Sequence, residues 1–128
     1  MGLEERRKIK ELRDTAVLER EKELVEISGS AIKYEIDWDS FDLDALNFLD
    51  NLSCFRIAMA LRVICTDELG KEAVADGLKL IKLQNAKSKE EMKLNFSAGV
   101  LELHNAHGLR TSGMFSDNEI RETLIKGL

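Results

Sequence analysis

One long apolar stretch, residues 43–65, most constrains how this chain can fold. Its first half alternates leucines with Asp and Asn at helical spacing, and from Leu52 onward nearly every residue is apolar or small. Such a helix must be covered on most sides, either by its own domain or by a second subunit. Two arginines interrupt the stretch, whereas a membrane span needs about 18 or more consecutive apolar residues. The stretch therefore predicts one long buried helix, with Asp39 or Ser40 as its N-cap.

Four segments outside this helix have the character of β-strands. Residues 32–38 and 92–96 alternate between apolar and polar side chains, which is the period of a half-buried strand. Residues 78–85 are apolar on both faces and predict an interior strand. Residues 100–105 follow a tight connection and complete an antiparallel meander. The predicted fold class is α+β: a single domain (1–128), with an antiparallel sheet of four to five strands packed on the long central helix.

Helices are predicted at both ends of this domain. Residues 1–22 are rich in charge and in helix-forming residues, so they predict a helix that either rests one edge on the domain or protrudes as a contact surface. Residues 24–27 fit either the end of that helix or a short strand. After the central stretch, Thr66 or Asp67 could cap a short helix over residues 68–76, which Gly77 would end. Near the C-terminus, Ser116 and Glu119 have the spacing of a capping box and mark the start of the last helix.

Composition narrows the classes of partner and compartment. The net charge of −5 argues against nonspecific binding to nucleic acid, which requires a basic face. Cys54 and Cys65 would lie about 16 Å apart along one helix, too far for a disulfide. Two unpaired thiols and the absence of an apolar signal segment at the N-terminus predict a cytoplasmic protein. A chain of 128 residues can bury a core without disulfides or a structural metal.

Acidic side chains cluster on one face of the first predicted strand. Glu35, Asp37 and Asp39 alternate with apolar residues, so they project to the same side. Clustered carboxylates can bind Ca²⁺ or Mg²⁺, but the glycine and the final glutamate of a calcium-binding loop are missing. The cluster therefore predicts a solvated strand face, with a docking surface for a basic partner or a metal site as alternatives.

The two histidines form a second candidate site. Glu102 and His104 project to one side of the last strand, and His107 follows in a loop. Two histidines near a carboxylate can contribute to a zinc site or an acid–base pair. The spacing is not that of a helical metalloprotease, and no cysteine cluster completes a ligand set. Ordinary exposed histidines are the alternative, and we expect no metal and no cofactor.

The arginines of the apolar stretch are the third candidate. A buried arginine needs a carboxylate partner, which Asp37 or Asp39 could supply for Arg56 or Arg62. Alternatively, each stem is buried at the rim while its guanidinium reaches water, or binds an anionic ligand. The glycine-containing loop at residues 108–113 carries Met114 where a phosphate-binding loop would have lysine, so it predicts an ordinary connection.

None of these motifs is specific for one reaction. The sequence therefore predicts a small acidic cytoplasmic protein that acts as a non-enzymatic protein-interaction or regulatory module. Its expected partner is another protein or a second copy in a homodimer, with no nucleic acid and no membrane. A metal-assisted hydrolase using Glu102, His104 and His107, or a small-ligand binding domain, is the alternative. The candidate binding residues are Glu35, Asp37, Asp39, Arg56, Arg62, Glu102, His104 and His107.

Overall fold

A mixed β-sheet forms one layer of the structure, which is a computed structural model describing residues 2–128. Within those residues the sheet has four strands in the order β1-β2-β4-β3. Strand β2 pairs in parallel with both β1 and β4, and β3 pairs with β4 in antiparallel fashion. The bounds are β1 (Lys33–Ile36), β2 (Leu80–Asn85), β3 (Lys93–Ser97) and β4 (Val100–Asn105).

The prediction of an all-antiparallel sheet is wrong, because two connections make β2 parallel to both of its neighbours. Residues 37–79 link β1 to β2 through several helices, and a connection of that length can return the chain for a parallel pair. The β3–β4 hairpin then places β4 between β2 and β3, which makes β4 parallel to β2. The hairpin itself and the interior position of β2 match the predictions. The two-residue turn of the β3–β4 hairpin has left-handed backbone at Ala98 and Gly99, with φ of 52° and 80°.

The second layer of the described chain consists of six α-helices on one face of the sheet. They are α1 (Leu3–Asp14), α2 (Ala16–Ser28), α3 (Leu43–Leu46), α4 (Phe55–Ile64), α5 (Glu68–Gly77) and α6 (Asp117–Gly127). The charged N-terminal segment is thus two helices, and α1 buries Ile9 and Leu12 against the domain. Residues 24–27 belong to α2, which ends at Gly29 in the left-handed conformation.

The central apolar stretch is not one continuous helix. Helix α3 begins after Asp42, whose carboxylate accepts a hydrogen bond from Ala45 N, and it ends at Leu46. A turn of π-helix, Asp50–Cys54, leads into α4. The predicted N-caps Asp39 and Ser40 lie instead in a separate 3₁₀ turn, Trp38–Ser40. Apolar periodicity could not reveal this break, because a π turn inserts one extra residue without adding a polar one.

Other local predictions are confirmed. Ser116 and Glu119 form the capping box of α6, and the Asp67 carboxylate caps α5 by accepting from Gly70 N. The α+β class and the single domain are also confirmed. Within residues 2–128, no helix has the length and apolar character needed to cross a lipid bilayer.

The core lies between α4 and the inner face of the sheet. The inward side chains of β2 and β4 are fully buried, namely Ile81, Leu83, Leu101 and Leu103. Helix α4 lies between α2 and α6 and contributes the buried Ile57 and Leu61. Because the helices cover one face, the opposite face of the sheet stays open. Its side chains are mostly polar and exposed, as the alternating burial along each strand shows.

Candidate functional site: a polar groove on the open face of the sheet

A groove of about 260 Å³ lies on the open face of the sheet. The strand register creates it, because Glu35 on β1, Lys82 on β2 and Glu102 on β4 lie side by side. One step further along the strands, Gln84 lies beside His104, and Asp37 follows the end of β1. The groove therefore brings together four of the residues predicted from the sequence: Glu35, Asp37, Glu102 and His104.

Weak ion pairs connect most of the charged groups in this groove. Lys82 Nζ lies 3.5 Å from Glu35 Oε2, and Lys93 Nζ lies 3.4 Å from Glu102 Oε2. His104 Nε2 lies 3.5 Å from the same Glu102 oxygen, but partial burial lowers the pKa of His104 and outweighs that carboxylate. The imidazole is accordingly neutral at pH 7. Asp37 takes part in none of these pairs, so the groove keeps a net negative charge.

Asp39 lies in a neighbouring hollow of about 340 Å³ at the ends of β1 and β2. The hollow shares Asp37 and Gln84 with the groove, and it adds the carboxylates of Asp39 and Glu91 and the ammonium group of Lys87. We call the groove and the hollow together the acidic sheet face. It extends from the middle of the sheet to the carboxyl ends of the parallel strands.

The predicted arginines lie in the helical layer and not on the acidic sheet face. Arg62 donates to Glu23 Oε2 of α2 at 2.9 Å, so its partner is neither Asp37 nor Asp39. Arg56 stacks beside the Phe55 ring, with 5.6 Å between the guanidinium carbon and the ring centroid. Its Nε is buried and has no hydrogen-bond partner within residues 2–128.

His107 is separated from His104 and lies inside the domain, where it is fully buried. Its Nε2 accepts a hydrogen bond from the Ser53 hydroxyl at 2.7 Å. Asn85 Oδ1 accepts from His107 Nδ1 at 2.9 Å and from His107 N at 3.1 Å, which fixes the proton on Nδ1. Asn105 Nδ2 donates to Ser53 Oγ at 3.2 Å and to Leu52 O at 3.1 Å.

Asn105, Ser53, His107 and Asn85 form a continuous chain of hydrogen bonds, which we call the Ser53–His107 network. It joins the π turn to the carboxyl ends of β2 and β4, and Asn105 Oδ1 extends it to Phe115 N just before α6. Serine, histidine and asparagine follow in the order of a nucleophile, a base and an orienting group. However, Ser53 is 0% exposed and its oxygen already accepts a hydrogen bond, so no reactant reaches it in this conformation. The network therefore holds the fold together.

Ser53, Asn85 and Asn105 are not among the residues predicted from the sequence. A signal for the two asparagines was present, because strand alternation puts Asn85 on the face of Ile81 and Leu83. Asn105 shares the buried face of β4 in the same way. A polar residue at an inward strand position must find buried partners. Asn85 finds them in Ser40 and His107, and Asn105 finds them in the π turn and at Phe115 N.

Carboxylates are the most numerous charged groups among the lining residues of the acidic sheet face. Within residues 2–128, no three His, Cys, Asp or Glu side chains converge in an arrangement that could hold a metal ion. The hydrolase hypothesis named Glu102, His104 and His107, but the structure places His107 in the interior. The hydrolase hypothesis stays a prediction, and its three side chains do not lie together in one site. The groove is also polar and smaller than the pockets of about 300–1,000 Å³ that usually hold small ligands.

Fold and site together define a small two-layer α+β domain with an open, carboxylate-rich sheet face. No protein-family model, no curated protein and no solved structure matches this chain significantly.

Proposed function

We propose that this protein is a non-enzymatic interaction module that binds a basic segment of another protein on its acidic sheet face. The observation that carries the proposal is the groove that gathers Glu35, Asp37 and Glu102 on a sheet face that no helix of residues 2–128 covers. Carboxylates held on paired strands are pre-positioned, so they bind lysine or arginine side chains at a low cost in side-chain entropy.

The distribution of charge supports a basic partner. Five carboxylates line the acidic sheet face, against the ammonium groups of Lys82 and Lys87 among its described lining residues and that of Lys93, which reaches Glu102 from β3. Asp37 forms no ion pair with any other residue of the described chain and lies where the groove and the hollow meet, so an incoming cation can bind it. Arginine suits this position because its guanidinium can contact two carboxylate oxygens at once.

The test uses a fluorescent nona-arginine peptide as the probe, with binding followed by anisotropy at low and at physiological salt. The double variant Glu35→Gln/Asp37→Asn removes two charges from the acidic sheet face. Each exposed pair contributes about 0.2–1 kcal/mol, so we expect the affinity to fall roughly twofold to thirtyfold.

A matched control removes the same charge from another acidic region. Glu19 and Glu26 lie with Glu23 around a hollow on α2, and Glu19→Gln/Glu26→Gln leaves the sheet untouched. We expect this control to change the affinity less than twofold at physiological salt, because exposed charges are screened beyond about 8 Å. An equal loss in both variants would mean that the peptide responds to net charge alone, and the proposal would then be wrong.

A further inference from the structure

A second surface, on the helical layer, has a different chemical character. Helices α5 and α6 both pack on α4 and leave a groove of about 420 Å³ between them, whose floor is the end of α4. The helices converge at one end, where a Cβ at Gly77 would lie 2.6 Å from Leu128 Cδ2. Val63, Ile64, Leu69, Ala73, Ile125 and Leu128 make the lining largely apolar, and we call this surface the α5–α6 groove.

Exposed apolar side chains are concentrated in this groove. Leu69 is 78% exposed, Ile125 is 55% exposed and Val63 is 47% exposed, and Leu128 makes a fourth member. In the part of the chain that the structure describes, nine large apolar residues are exposed, and four of them line this one groove. Single exposed leucines are common on protein surfaces, but a clustered set beside a cavity marks an interaction site.

We propose that the occupant of the α5–α6 groove is a second copy of this chain, related by a twofold axis. A twofold interface requires a self-complementary patch. Leu69 projects from the rim and the cavity lies beside it, so each copy can insert its Leu69 into the groove of the other.

Charges on the rim support the same arrangement. Asp67 and Arg121 both line the groove, and neither forms an ion pair with another residue of the described chain. A twofold rotation can bring Asp67 of one protomer opposite Arg121 of its partner. Opposite charges on one patch favour self-association, whereas a patch of a single sign would repel its own copy.

The size of the patch predicts a weak dimer. A standard interface buries about 800 Å² on each partner, which is more than four partly exposed side chains provide. The polar rim must therefore contribute, and we expect a dissociation constant on the order of 10–100 µM.

Sedimentation equilibrium of the full chain, from about 5 µM to about 1 mM, tests this dimer. In the variant Leu69→Glu, each protomer loses one buried leucine, which corresponds to about tenfold in affinity. The dimer contains two such residues, so its dissociation constant should rise roughly 100-fold. The control is Leu18→Glu on α2, because Leu18 is 48% exposed and lies outside the groove. It should leave the dissociation constant unchanged.

A second pair of variants tests the charges and guards against misfolding. Arg121→Glu should weaken the dimer, whereas Arg7→Glu on α1 makes the same charge change without effect. Circular dichroism checks that each variant is folded, and Ile125→Glu replaces Leu69→Glu if that variant is not. A wild-type chain that stays monomeric up to about 1 mM overturns the proposal. A dimer that Leu18→Glu weakens as much as Leu69→Glu also overturns the proposal. In either case the occupant of the α5–α6 groove is not a second copy of this chain.

Discussion

The Ser53–His107 network should make the stability of this protein depend on pH in a specific window. Burial lowers the pKa of His107 from 6.5 to about 4 in the folded protein. Protonation also disrupts the network, because Nε2 would become a donor and the Ser53 hydroxyl would lose its acceptor. In the unfolded chain, by contrast, His107 accepts a proton as the pH falls through about 6.5.

The sign and size of the effect follow from that difference. Between pH 6.5 and 4 the unfolded state binds more protons than the folded state, so the free energy of unfolding decreases as the pH falls. The contribution is fully present above about pH 6.5 and is lost by about pH 4. A pKa difference from 6.5 to about 4 corresponds to about 3 kcal/mol, or roughly 10 °C in Tm for a chain of this length.

The measurement is urea unfolding between pH 7 and pH 4, compared between the wild type and His107→Gln. Glutamine keeps a donor for Asn85 and an acceptor for Ser53 but does not titrate. We expect the variant to be about 1–3 kcal/mol less stable than the wild type at pH 7. Because only the wild type loses about 3 kcal/mol on acidification, the variant should be equally stable or up to about 2 kcal/mol more stable at pH 4. The pKa of His104 is also lowered, but His104 is present in both proteins, so its contribution to the pH dependence cancels in the comparison. Parallel pH profiles, or an NMR titration of His107 near 6.5, would refute this reasoning.

Three further predictions concern packing, capping and thiol reactivity. Gly113→Ala should destabilise the fold by at least about 2 kcal/mol in urea unfolding, because its Cβ would overlap the backbone carbonyl oxygen of Ala106. Gly108→Ala should change stability by less than about 0.5 kcal/mol, because its Cβ would meet only Asp44 Oδ2, at 4.0 Å. Ser116→Ala should cost about 1 kcal/mol through loss of the α6 cap, and an unchanged unfolding midpoint would contradict this. With a thiol reagent at pH 8, Cys65 should react in the native state and Cys54 only after unfolding. The reason is that complete burial raises the pKa of Cys54 to about 12. Rapid reaction of both thiols in the native protein would contradict this.

The elements that could be predicted from the sequence are those specified by neighbouring residues. The capping box at Ser116, the cap at Asp67 and the alternating strands need no distant contact, and all of them are found. The failures were non-local. The parallel pairing of β2 depends on where the helical connection returns the chain, and the break before α4 depends on contacts across the fold. Among these contacts are the hydrogen bonds from Arg20 to both carboxylate oxygens of Asp50, at 2.8 and 3.1 Å.

The candidate site residues, too, were predictable within one strand but not between strands. Alternation along β1 and β4 predicted that Glu35 and Asp37 share one face and that Glu102 and His104 share another. Only the register of β2 between those strands could show that the two pairs lie in one groove.

The long apolar stretch shows most clearly what each level of structure decides. Its composition determined by itself that this segment would be helical and mostly buried, because so many apolar side chains must leave water. The tertiary structure alone decided that Arg62 would pair with Glu23, that Ser53 would face His107, and that Val63 would stay exposed beside α5 and α6. The physical reason is that burial depends on residue type, whereas partnership depends on which distant surfaces the chain topology brings together.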